Sequence, residues 1–118
     1  MAIGPLLPSA ANAGCSAPAK YEGRSDNWKV STTYDSSADI KSYEIRYIGK
    51  EEALDGTVGY AFKDSRNFQE RGESAILRKN MKITGRFTVV APMEEEDGFV
   101  LEMRWNGNQE TIPIERKK

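Results

Sequence analysis

Asn106-Gly107 stands between two runs in which apolar and polar residues alternate, and no other dipeptide constrains the fold as much. A two-residue type I′ turn needs positive φ at both central positions, which asparagine and glycine tolerate, so Trp105 is expected opposite Asn108. Counting outward pairs Met103 with Glu110, Leu101 with Ile112 and Phe99 with Ile114, and sets Glu102 against Thr111 and Arg104 against Gln109. Directly opposed residues share a face. Phe99, Leu101, Ile112 and Ile114 therefore gather on one surface, and Glu102, Arg104, Gln109 and Thr111 on the other. A slip of one residue would scramble that division. Pro113 has no amide hydrogen, which places its strand at a sheet edge or turns its nitrogen outward.

The same period of two recurs upstream. Trp28, Val30, Thr32 and Tyr34 alternate with Lys29, Ser31 and Thr33, and Tyr43, Ile45 and Tyr47 alternate with Glu44 and Arg46. Between them, Asp35 to Asp39 reads as a turn whose Asp and Ser side chains bond their own backbone. Val58, Tyr60 and Phe62 form a third such run. The stretch from Lys63 to Glu73 reads as irregular, with Phe68 pinning it to the core. From Ser74 onward the chain reads as two short strands or one bent one, with a corner at Asn80 and an inward series of Met81, Ile83, Gly85, Phe87 and Val89. Helical periodicity is missing throughout. About seven strands with turn signals between them predict an all-β domain: an antiparallel, two-sheet β-sandwich of immunoglobulin-like type spanning 27–118, behind a leader and tether at 1–26. The expected core is Trp28, Tyr43, Ile45, Tyr47, Val58, Tyr60, Phe62, Leu77, Ile83, Phe87, Val89, Phe99, Leu101, Ile112 and Ile114.

Composition bounds the chemistry. With 118 residues, the chain has room for one core, which removes roughly two thirds of the unfolded surface from water. Seventeen basic against eighteen acidic residues leave no overall cationic excess to displace counterions, so nucleic acid is not an expected partner. Histidine is absent, which removes the commonest general base and neutral metal ligand. No cofactor or metal is expected, and the chain is expected to be a binding protein rather than an enzyme. The acidic run Glu94-Glu95-Glu96-Asp97 is contiguous, where calcium loops space their ligands at alternate positions, and it reads as a solvated hairpin loop. Arg78, Lys79, Lys82 and Arg86 could meet anionic headgroups or cell-wall polymers, but alternation already places most of them on an outward face. Trp28 and Trp105 could form a sugar platform, but they sit in register with core residues. The rival reading is a small cell-envelope hydrolase with an acidic or Ser-Lys site.

Cys15 is the only cysteine, in Ala13-Gly14-Cys15-Ser16, and every charged residue lies from Lys20 onward. Small residues directly before a cysteine suit the cleft of a lipoprotein signal peptidase, which cuts ahead of an acylated thiol, so Cys15 is the expected lipidation site. The apolar leader carries no Lys or Arg, as a secretory signal normally does. Two readings of it stand: a start truncated or replaced ahead of a mature cysteine, or a tail in which Cys15 is incidental. Ser16 to Lys20 has the composition of a flexible tether.

Tyr21-Glu22-Gly23-Arg24-Ser25-Asp26-Asn27-Trp28-Lys29-Val30, the strand ending Tyr47-Ile48-Gly49, and Trp105-Asn106-Gly107-Asn108-Gln109-Glu110-Thr111-Ile112 together resemble a group of small lipoproteins of Gram-positive bacteria. The resemblance implies a lipid on the first mature cysteine and one β-domain presented on the outer face of the cell membrane, with no assigned biochemical role. The leading expectation is a binding or accessory module, anchored to the membrane through a lipid on Cys15, that recognises another envelope protein or a cell-wall polymer.

Overall fold

The computed structural model describes residues 18–54, 56–75 and 77–117. Cys15 and the leader lie outside these residues.

Among the described residues ten antiparallel strands form: β1 (Ala19–Arg24), β2 (Trp28–Asp35), β3 (Ile40–Tyr47), β4 (Ala53–Leu54), β5 (Val58–Lys63), β6 (Arg71–Ser74), β7 (Leu77–Arg78), β8 (Lys82–Thr88), β9 (Gly98–Trp105) and β10 (Asn108–Arg116). The all-β expectation holds. The arrangement differs, however, from the expected two-sheet sandwich of about seven strands. Eight of them join one sheet in the order β6-β5-β9-β10-β1-β2-β3-β8, and β4 pairs with β7 in a separate ribbon. That sheet rolls until its inner faces meet, with the Tyr43 ring on β3 lying 5.8 Å from Tyr60 and 5.1 Å from Phe62 on β5. Alternation shows which face is buried, and a rolled sheet buries the same face as a stacked pair, so the sequence pattern fits both.

The β9–β10 hairpin has the register counted from Asn106-Gly107, from Trp105 opposite Asn108 to Phe99 opposite Ile114. Asn106 and Gly107 have φ of 48° and 75°, as a type I′ turn requires. Asp35 accepts hydrogen bonds from the Ser37 and Ala38 amides and the Ser37 hydroxyl, which builds the turn between β2 and β3. Asn80 turns its corner with φ of 71°.

One expectation about strands is corrected and another is narrowed. Residues 19–24, assigned to the tether, form β1 in the middle of the sheet between β10 and β2, with Tyr21 wholly buried. Tyr21 and Ala19 face inward while Lys20 and Glu22 face outward, but Gly23 breaks the apolar series and hides the strand. Of the two placements expected for Pro113, the edge strand is excluded, because β10 lies between β9 and β1. Its missing hydrogen is accommodated differently: the β1–β10 ladder runs from Arg116 to Ile114 and stops one residue short of Pro113. Beyond that point side chains take over, as Ser25 and Asn27 donate to the Glu110 carboxylate.

Ten of the eleven aromatic residues are buried inside the roll, including Trp28 edge-on to Trp105 at 5.3 Å and Phe68 stacked on Phe99 at 5.5 Å. Ala19, Tyr21, Val30, Tyr34, Leu54, Met103 and Trp105 join the expected core. Phe87 leaves it. Its side chain is on the inward face, as alternation requires, but at the end of β8 where the roll opens, and it is 37% exposed. Val89, past that strand, packs only partly against the core.

Candidate functional site

One end of the roll is built by long-range side-chain bonds. The segment that follows β8 does not form a hairpin with β9, because β8 is an edge strand and β9 lies between β5 and β10. It crosses the open end instead, and polar groups fasten it at each step. The Val89 amide donates to the Asp39 carbonyl, the Tyr34 hydroxyl to the Ala91 carbonyl, the Tyr21 hydroxyl to the Glu96 carbonyl, and the Arg116 amide to the Asp97 carbonyl. Burial raises the pKa of both tyrosines, and nearby carboxylates add to it.

The acidic run is solvent-exposed at Glu94, Glu95 and Asp97, as expected, but it is no hairpin tip, and Glu96 takes part in the fastening. Glu96 accepts from the Ser65 hydroxyl at 2.7 Å, the Arg66 amide at 2.7 Å and the Asn67 side-chain amide at 2.8 Å. Asn67, buried, also donates to the Glu94 carbonyl and accepts from the Glu94 amide. Glu95 pairs with Arg116. The Glu96 carboxylate and the Glu94 backbone thus stitch the 64–70 loop to the crossing segment. Among the described residues no group of three or more Asp, Glu, His or Cys is arranged to hold a metal ion.

Between these loops lies a groove of about 470 Å³, lined by Tyr34, Lys41, Glu70, Phe87, Val90 and Pro92 among others. Lys41 occupies an inward position of β3, two residues before Tyr43, and its ammonium reaches Glu70 at 2.7 Å and the Asn67 carbonyl at 2.8 Å. It lies 5.6 Å from the Phe68 ring and 6.0 Å from the Phe87 ring. The two ion-paired side chains retain 15% and 20% of their exposure, so the charge is held at the mouth without being sealed from water. Phe87 and the fully exposed Val90 form the apolar rim. The sequence reading missed Lys41, although a lysine in an inward slot of an otherwise apolar series is a readable anomaly. Glu70 and Asn67 gave no such signal.

The other candidates fall elsewhere. Arg78 and Lys79 belong to the β4–β7 ribbon, where the Lys79 amide bonds the Glu52 carbonyl, while Lys82 and Arg86 project outward from β8. Trp28 and Trp105 are core residues, and the Trp28 indole N–H is buried without an acceptor. No protein-family model, curated protein or solved structure matches the chain.

Proposed function

We propose that the chain is a binding or accessory module held on the outer face of a cell membrane by a lipid on Cys15, with the groove at the mouth as its recognition surface for another envelope protein. The observation that carries this reading is Phe87: of eleven aromatic residues it alone keeps more than a third of its surface in water, and it does so beside Val90 and a restrained lysine. A concave site with an apolar rim and a few convergent polar groups is how binding clefts are generally built. Topology supports the tether. The chain enters the sheet at Ala19, opposite Tyr34, and Tyr34 lines the groove. An anchor ahead of Ala19 would therefore keep the mouth near the bilayer, where a membrane partner's extracellular segment is within reach. Two acyl chains, at about 0.8 kcal/mol per buried methylene, hold such a module without a spanning helix.

Two measurements test the reading. Mass spectrometry of the native protein from the membrane fraction should find a diacylglyceryl cysteine at Cys15; unmodified Cys15 in the medium would contradict it. A photo-crosslinker in place of Phe87 in intact cells should capture a partner that one in place of Gln109, at the opposite end, does not. Equal capture from both positions would remove the groove from the account.

A further inference from the structure

The outward face of the sheet carries a charge pattern that only its registers expose. Arg24 on β1 stands opposite Lys29 on β2, Lys29 opposite Arg46 on β3, and Arg46 opposite Lys82 on β8. Four consecutive strands thus each contribute one cation to a single line across the sheet. Adjacent strands lie 4.7–4.9 Å apart, so the line extends roughly 14 Å. Arg24, Lys29 and Lys82 are exposed and Arg46 is half-buried.

Folding alone gives no reason for such a line, because like charges directly opposite one another destabilise a sheet. The neighbouring rows avoid it: Glu22, Ser31, Glu44 and Thr84 form one, and Lys20, Thr33, Ser42 and Arg86 the next. Compensation within the line is partial. Glu44 serves both Arg46, at 3.5 Å, and Lys82, at 3.4 Å, while Glu22 is engaged by Lys117 at 3.5 Å. Among the described residues Arg24 and Lys29 enter no ion pair within 4.0 Å, and the Arg46 Nε–H is buried without an acceptor.

We propose that this row binds a linear polyanion, a chain of phosphodiester units laid across β1, β2, β3 and β8. Two guanidinium forks and two ammonium groups match a succession of phosphates, and the flanking Ser31 and Thr84 hydroxyls can donate to the same oxygens. A nucleic acid strand fits less well, since none of these three rows presents an aromatic ring on which a base would stack. A bilayer fits less well too, since the row follows the curvature of four of the eight strands and a plane touches only its middle. The inference is independent of the groove and of the lipid on Cys15.

The test uses the full chain and poly(glycerol phosphate) as probe, followed by fluorescence anisotropy. Four neutralised phosphates imply that raising salt from about 50 to about 200 mM weakens binding roughly 100-fold, and that R24Q/K29Q reduces this dependence to roughly 10-fold while lowering affinity at low salt. The charge-conserving R24K/K29R should retain binding, as should K50Q/K79Q, which removes two exposed lysines outside the row. The proposal is overturned if R24Q/K29Q binds as tightly as the parent, if K50Q/K79Q loses as much, or if monomeric glycerol phosphate, phosphatidylglycerol vesicles or oligo(dT) bind as well as the polymer. Far-UV circular dichroism of each variant separates loss of binding from loss of fold.

Discussion

The β9–β10 hairpin and the seam between β6 and β8 are closed by different means. In the hairpin, eight consecutive residue pairs and a two-residue turn make the contact through backbone. At the seam β6 and β8 are the two ends of the strand order and share no ladder, so side chains bring the sheet round. The device is the same on both margins. Gly72 on β6 faces Tyr60 on β5, and Gly85 on β8 faces Tyr43 on β3. A Cβ at Gly85 would lie 2.4 Å from the Tyr43 ring and one at Gly72 2.8 Å from the Tyr60 hydroxyl, so each ring covers the glycine opposite it. The two hydroxyls then meet at 2.7 Å. Tyrosine rings folded over edge glycines protect a margin that would otherwise be open to pairing. Backbone closure is thus specified locally, while side-chain closure depends on residues far apart in sequence.

The largest contrast is in packing. Leu101→Ala, in the continuous ladder and fully buried, should cost about 3–5 kcal/mol in chemical denaturation, whereas Phe87→Ala at the mouth should cost about 1 kcal/mol or less. Equal losses would mean that the roll is not open at that end. Gly85→Ala should follow at about 2 kcal/mol, because the new methyl displaces Tyr43 from its seat on β8. Tyr43→Phe and Tyr60→Phe should each cost about 1 kcal/mol, and the double variant much less than their sum, since either change breaks the same hydrogen bond. Additive losses would separate the two hydroxyls.

Alkaline titration probes the same pair. Burial, and secondarily the bond to Tyr60, raises the Tyr43 pKa well above its usual value near 10. The folded protein keeps this proton after the unfolded chain has lost it. The stabilisation is therefore complete below pH 10 and declines as pH rises beyond it. Absorbance near 295 nm should show the Tyr43 phenolate only with unfolding. The smallest effect has the opposite sign. Lys29→Glu, placed between Arg24 and Arg46, should stabilise the fold by about 0.2–1 kcal/mol while abolishing binding of poly(glycerol phosphate). A stabilising change that removes binding would mark the cation row as retained for a ligand rather than for the fold.

How much the sequence discloses follows from the same contrast. The hairpin register was legible to the residue, because a period of two and one Asn-Gly turn decide it locally. Strand order was not legible, since the β8–β3 and β6–β5 pairings and the crossing segment depend on contacts between distant residues. Phe87 shows the limit of alternation: the face was read correctly and the depth was not. The fastening role of the acidic run was not legible because its partners, Asn67 and Ser65, lie in a loop with no pattern of its own. The cation row becomes visible only when three ladders are in register at once.

The direct test of the rolled sheet is a set of nuclear Overhauser contacts at its seam. The account predicts cross-peaks from the Tyr43 ring to both Tyr60 and Phe62, together with backbone contacts between Arg46 and Lys82 and between Gly23 and Ile114, and none between the backbones of β6 and β8. Two stacked sheets would contradict it: the Gly23–Ile114 contact would be lost, or the Tyr43 and Tyr60 rings would lie too far apart to exchange magnetisation.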